Sequence, residues 1–511
     1  MLVMKFGGTS VGTADSIKEV VGIIRDYKDK KPLVVVSALS KVTDMLIEAA
    51  KMAVNGEVSV DDIRERHLDV IKHLELDAAI LEPELKELGH ALTGVSYVKK
   101  LMPELYAVVV SFGERMSSKI IAAYARSAGL NAAAYNAFDL GLKTDSNYEE
   151  AEVLPESYSL IPVSVGNIGQ DEVPIVTGFI AKDSSGSITT LGRGGSDYTA
   201  SIFAAALNAE EVQIWTDVDG ILSADPKIVP SAKTIKEISF SEAAELAFFG
   251  ARVLHPKTVT PALNKNIPVR ILNTFNRSSS GTVIVKVKNE NDSELITAIA
   301  CKRSISAINI SSPKMLLAYG FMKKIFDAFA RNKISVDVVS TSEVSVSITV
   351  DAKYGLTGLL KELNALGAVN VAYDKASVSL VGSGLKNTPG IAGIIFGTLG
   401  EAGINVEMIS MGASEINISF IVEEKNVEKA VKLLHKAFFD MSETLKHKPF
   451  ASAGGKQASV SESQKPSVSD DARKLKLPTH AQEHAPGFSP GVLDKTIKTG
   501  KLSQNKSWRM I

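Results

Sequence analysis

The sequence predicts an α/β protein: a domain with a central, mostly parallel sheet, then two α+β repeats and a disordered C-terminal tail. Three observations predict it. Short β-branched runs alternate with helical stretches from Met1 to Asn276. A segment of about 70 residues then occurs twice. Beyond Phe450, large apolar residues become scarce.

At 511 residues the chain is long enough for several domains, each with its own core. Lys plus Arg number 57 and Asp plus Glu 58, a formal net charge of -1. That balance gives no bulk attraction to nucleic acid or to a membrane, so neither is an expected partner. Cys301 is the sole cysteine, which excludes an intramolecular disulfide and a cysteine-rich metal site. The eight histidines form no cluster, so no protein metal site is expected. The start, MLVMKFGGTSVG, lacks the apolar stretch of a signal peptide, and nowhere do about 18 apolar residues run together. The reading is a cytoplasmic enzyme.

In the first part, residues 33–36, 174–177, 212–215 and 269–272 read as strands, with helices from near Ala14, at 117–127 and at 198–207. Residues 58–101 are charged and helix-periodic, a helical excursion from the sheet. The Ser- and Gly-punctuated RSSSGTVI after Asn276 reads as a junction. The repeat follows: GFMKKIFDAFARNKISVDVVS from Gly320 aligns with GIAGIIFGTLGEAGINVEMIS from Gly390, and SEVSVSITV from Ser342 with SEINISFIV from Ser414. Each copy reads as strand, helix, strand pair, helix. The expected boundaries are a catalytic domain at 1–276, a linker at 277–292, repeats at 293–371 and 372–446, and a tail at 447–511.

Four motifs can carry chemistry. Lys5-Phe6-Gly7-Gly8-Thr9-Ser10 follows a strand and precedes a helix, a place where backbone N–H groups approach phosphate oxygens beside a lysine charge. The spacing is not that of the Walker loop, and Gly-Gly there is also an ordinary turn. Gly192-Arg193-Gly194-Gly195-Ser196-Asp197 enters a helix that Ser196 or Asp197 would cap, again suiting an anion. Trp215-Thr216-Asp217-Val218-Asp219-Gly220, followed by Asp225-Pro226-Lys227, lies at the carboxyl end of a strand, where open α/β sheets bind ligands. Gly220 and Pro226 suit plain turn chemistry, which leaves Thr216, Asp217 and Lys227 as the candidates. Ser111-Phe112-Gly113-Glu114-Arg115 reads as the beginning of a helix, with Glu114 a first-turn carboxylate.

In this order these motifs, with VVSALSKVTDML, TLGRGGSDYTA and FGARVLHPKTV, closely resemble aspartate kinases from Met1 to about Phe439. The resemblance implies an amino-acid-kinase domain followed by two ACT domains. It implies transfer of a phosphoryl group from ATP to the side-chain carboxylate of L-aspartate, with Mg2+ as cofactor, in lysine, threonine and methionine synthesis. By resemblance Lys5, Gly7 and Gly8 cradle the ATP phosphates, Asp197 positions Lys5, and Thr216, Asp217, Lys227, Arg252 and Val253 hold the nucleotide. Thr43, Glu114, Arg193 and Ser196 hold aspartate. Leu222 stands where many relatives carry tyrosine, and Arg252 where some carry lysine. The run SVDVVSTSEVS resembles lysine-inhibited members, with Met315, Gly320, Phe321, Met322, Asp337, Ser342, Glu343 and Val344 as the matching effector positions. A homodimer or higher homo-oligomer through the ACT domains is the implied assembly. The competing readings are a kinase for another small acceptor, and an amino-acid sensor whose kinase domain is inactive.

Overall fold

The β-branched runs pair into one eight-stranded sheet in the computed structural model, which describes residues 1–249, 256–288, 295–316, 318–412 and 416–440. The strand order is Ala132–Tyr135, Val173–Thr177, Leu33–Val36, Leu2–Phe6, Glu211–Thr216, Val269–Asn273, Thr282–Val285, Glu237–Ser239. Every pairing is parallel except that of Val269–Asn273 with Thr282–Val285. All four strand expectations therefore hold, but the junction is corrected. Thr282–Val285, inside the stretch read as a linker, continues the eight-stranded sheet because Arg270 and Ile271 pair with Val283 and Thr282.

Both faces of this sheet are buried, as near-continuous apolar strands require. Leu2, Met4 and Phe6 face one core with Val34 and Val36, whereas Val3, Leu33 and Val35 face the other. The first core is closed by the helices Ala14–Asp26, Val42–Val54, Glu82–Val98 and Pro103–Ser127, and the second by Gly195–Leu207 and Pro256–Asn264. Thr13 starts the first helix with a capping box, its side chain and that of Ser16 each accepting from the other's backbone N–H. The charged 58–101 stretch is helical as expected, with Asp61–His73 and Glu82–Val98.

Two other helix starts differ from expectation. Glu114 is in the middle of the helix Pro103–Ser127, not its first turn, because the proline at the first helical position sets the start far upstream. The helix Gly195–Leu207 is capped by Gly194, which sits at φ 74° with no side-chain cap, so neither Ser196 nor Asp197 is the cap.

The repeat forms a second, six-stranded sheet, antiparallel throughout: Val339–Thr341, Ser345–Asp351, Ala298–Ser311, Ala368–Val381, Asn417–Glu423, Met408–Met411. Each copy is a strand, a helix, two strands and a helix, with Phe321–Arg331 and Thr357–Asn364 in one and Ile391–Glu401 and Val427–His435 in the other. The two central strands run the length of both copies and bend where Ser304 and Asp374 each take φ 55°. The cores are consequently interleaved. Ile308 and Ile310 pack with Phe321, Ile325 and Ile348, whereas Ile299, from the start of the same strand, packs with Val378, Leu380, Ile395 and Phe420. Among the described residues no helix is long and apolar enough to cross a membrane.

Candidate active site

Parallel strands deliver their following loops to one edge of a sheet, and here those loops meet at the carboxyl ends of Leu2–Phe6, Leu33–Val36, Val173–Thr177 and Glu211–Thr216. They enclose a cavity of about 540 Å³ lined by Lys5, Gly7, Gly8, Thr43, Glu114, Ser196, Asp197 and Thr216. Residues from five separate motifs are thereby brought together.

Lys5 Nζ lies 2.6 Å from Asp197 Oδ1, and the two side chains are only 12% and 14% exposed. This ion pair ties the first glycine loop to the second. The Gly7 N–H donates to Trp215 O at 3.1 Å, so the loop leaves the sheet in register with the neighbouring strand. A Cβ on Gly8 would come within 3.1 Å of Ala38 O, which explains a glycine at this close approach of two loops. Asp197 occupies the first turn of its helix, where backbone N–H groups lack intrahelical partners and an anion is favoured.

Glu114 is 4% exposed, and its Oε1 accepts the Ala38 N–H at 3.1 Å. Its Oε2 is buried with no hydrogen-bond partner. Burial pushes this carboxyl up to about 8, against the lowering effect of the Ala38 N–H. An uncompensated buried carboxyl is costly unless a cationic group arrives to pair with it.

Not every candidate joins the cavity. Arg193 is exposed on the loop before the helix, and Lys227 is exposed beyond the strand, its backbone N–H bonded to Asp225 Oδ1 at 2.9 Å. Asp217 is exposed beside the cavity and accepts the Thr216 hydroxyl at 3.1 Å. Asp219 accepts from Asn273 and Asn276 at 2.8 and 3.0 Å, a structural role that fits the turn reading of the adjoining glycine. Arg252 and Val253 lie outside the described residues, as does the tail 447–511.

The sequence reading missed residues 37–41, Asp44 and Phe179, all of which line the cavity. Lys41 brings a second lysine there and holds φ 69°, while Phe179 holds φ 67°, an uncommon backbone state for a side-chain-bearing residue. A lysine between a strand and a helix, within VVSALSK, was the available signal.

The effector candidates gather around the first repeat. Met315 ends a short 3₁₀ turn, Gly320 caps the helix that Phe321 and Met322 begin, and Ser342 bonds Ser345 Oγ at 2.7 Å. Glu343 and Val344 are exposed. Asp337 is 2.6 Å from Lys302 Nζ, so a carboxylate expected to meet a cationic effector already has an ammonium partner.

No group of three or more His, Cys, Asp or Glu that could hold a metal ion occurs among the described residues. A divalent cation at the cavity would thus be held chiefly by a nucleotide's phosphates, as Mg2+ commonly is, with Asp197 the lining carboxylate beside Lys5.

Residues 1–273 match the amino acid kinase family, and residues 308–359 and 378–438 match the ACT domain. Aspartokinase 1 of Arabidopsis thaliana is 40% identical over 465 residues, 87% of this chain and 81% of that protein. The lysine-sensitive aspartokinase 3 of Escherichia coli is 35% identical over 455 residues, 86% of this chain and 99% of the relative. Among solved structures, E. coli aspartokinase III with lysine and aspartate superimposes with a TM-score of 0.74 at 34% identity, covering 86% of this chain and 99% of that one. The same enzyme with aspartate and ADP gives 0.71 at 33% identity, covering 86% and 100%. The chain belongs to the amino acid kinase family. Its ACT domains and its likeness to these relatives make it, within that family, an aspartate kinase.

Proposed function

We propose that the enzyme moves the terminal phosphoryl group of ATP to the side-chain carboxylate of L-aspartate, giving 4-phospho-L-aspartate, and that lysine inhibits it. The supporting observation is the Lys5–Asp197 ion pair at the mouth of two glycine loops, within one cavity that also holds the unpartnered Glu114 oxygen. Aspartokinase III of E. coli, crystallised with aspartate and ADP, supports the choice of substrates.

The chemistry needs little acid–base assistance. A side-chain carboxylate is ionised at neutral pH, its reference pKa being about 3.9, so the attacking oxygen carries no proton to remove. The barrier is the approach of two anions and the charge on the phosphoryl group in flight. Lys5 meets that charge, and Gly7 and Gly8 offer backbone donors to the phosphates. Asp197 holds the Lys5 ammonium in place and is freed to share it when phosphate arrives. Bound Mg2+ supplies further neutralisation of phosphate charge. Thr216, Asp217 and Lys227, with Arg252 and Val253, hold the nucleotide.

Glu114 takes the α-ammonium of aspartate, Arg193 swings from solvent to grip the α-carboxylate, and Thr43 and Ser196 add hydrogen bonds. A lysine effector binds at Met315, Gly320, Phe321, Met322, Asp337, Ser342, Glu343 and Val344, between ACT domains paired across a homodimer or larger assembly. The E. coli enzyme crystallised with lysine supports that part. The division of labour follows the domains, the first extended through Val285 and the repeats at 293–371 and 372–446. Incubation with ATP, Mg2+, aspartate and hydroxylamine should give aspartyl hydroxamate and ADP, less of both with added lysine. Equal turnover of glutamate would overturn the substrate assignment.

A further inference from the structure

The segment 223–229 leaves the kinase domain between Thr216 and the helix Phe240–Phe248, and Lys227 lies on it. Its apolar side chains do not enter either kinase core. Ala224, Ile228 and Val229 are buried in the same cluster as Val378, Leu399, Val431 and Leu434, the core of the second ACT repeat. Hydrogen bonds fix the contact. Ser223 O accepts the Ile299 N–H at 2.8 Å, and Ser223 Oγ lies 3.0 Å from His435 Nε2, with both side chains buried. Ser223 Oγ also accepts the Lys233 N–H at 2.9 Å, which closes the hairpin carrying Lys227.

A second attachment runs parallel to the first. Glu242, fully buried, accepts the Thr297 hydroxyl at 2.8 Å and the Ser383 N–H at 2.9 Å through one oxygen, and caps its own helix through the other. The chain segment bearing Lys227 is therefore anchored in the second repeat, whereas Thr216 and the Lys5–Glu114 side of the cavity stand on the kinase sheet.

We propose that the second ACT repeat is a positioning element for the nucleotide half of the active site, with Ser223 and His435 as the positioning residues. This rests on the nucleotide role given above to Lys227 and its neighbours. The two repeats then play different parts, since the first carries the effector positions and the second holds the segment that ATP must engage.

The test uses the full chain. His435→Ala and Ser223→Ala should each raise the KM for ATP, and the Kd of Mg2+–ADP measured by calorimetry, about fivefold, the worth of one buried hydrogen bond. The KM for aspartate should move less than about twofold, since its site is not attached to this segment. His435→Gln, whose amide can reach Ser223, should restore nucleotide affinity. Unchanged ADP affinity in both alanine variants would overturn the proposal. So would a rise in both KM values together, which a general loosening of the fold predicts. Should His435→Ala fail to fold, Ser223→Ala alone decides. Lys227→Ala separates the two claims: normal ADP affinity there removes Lys227 from the nucleotide site, while the Ser223→Ala result still reports on the anchor.

Discussion

In the kinase cavity Glu114 keeps one buried carboxylate oxygen without a partner, whereas in the ACT sheet Asp337 and Glu407 are each held by a lysine, Lys302 and Lys375, at 2.6 and 2.5 Å. The two ACT pairs sit at matching places in the repeat, next to the bend of the two shared strands. A cationic ligand entering the cavity completes an unmet interaction. One entering the first ACT repeat at Asp337 must displace an internal ammonium. The catalytic region is thus prepared for its ligand, and the regulatory region is satisfied without one.

The largest effect that can break this contrast is on Lys5. Lys5→Ala should lower kcat by about a thousandfold or more, the scale of losing a donor aimed at transition-state charge. Near-normal turnover in a steady-state assay would mean that the cavity's readiness lies elsewhere.

Glu114 sharpens the contrast through pH. Its carboxyl is held neutral below about 8 by burial, and only the ionised form attracts an ammonium group. Raising the pH from 6.5 to 8.5 populates that form, so the KM for aspartate should fall roughly tenfold, and Glu114→Gln should flatten the profile. A profile that is level in the unmutated enzyme contradicts the reading.

The smallest expected effect concerns Lys302. Lys302→Met removes the internal competitor from Asp337, and lysine should then inhibit at about threefold to fivefold lower concentration. Dose–response curves that superimpose on those of the parent enzyme would show that Lys302 does not compete.

Much of the fold was legible because the sheet strands are β-branched runs buried on both faces, and 33–36 or 269–272 stand out in the sequence alone. Lys5 and Asp197 were legible as two separate loops, and what the sequence withheld was their 2.6 Å contact. Glu114 was misplaced because Gly113 and the polar Ser111 suggested a fresh start, although Pro103 was the stronger start signal. Phe179 escaped notice because it lines the cavity through tertiary position, and in the 37–41 loop Lys41 was the one sequence mark, passed over as a candidate. The Lys302–Asp337 pair was hidden for a similar reason: it joins a residue beside the bend of Ala298–Ser311 to one in the loop before Val339–Thr341.

The sharing of those strands also bears on the order in which the chain is made. Ala298 to Lys302 pair with Val381 to Ser377, so this short piece emerges from the ribosome well before its partner exists. Translation can finish the first repeat's own core while those residues still wait. Only when synthesis has passed Val381 do these residues acquire their strand neighbour, so the first strand of the regulatory region joins the second repeat late.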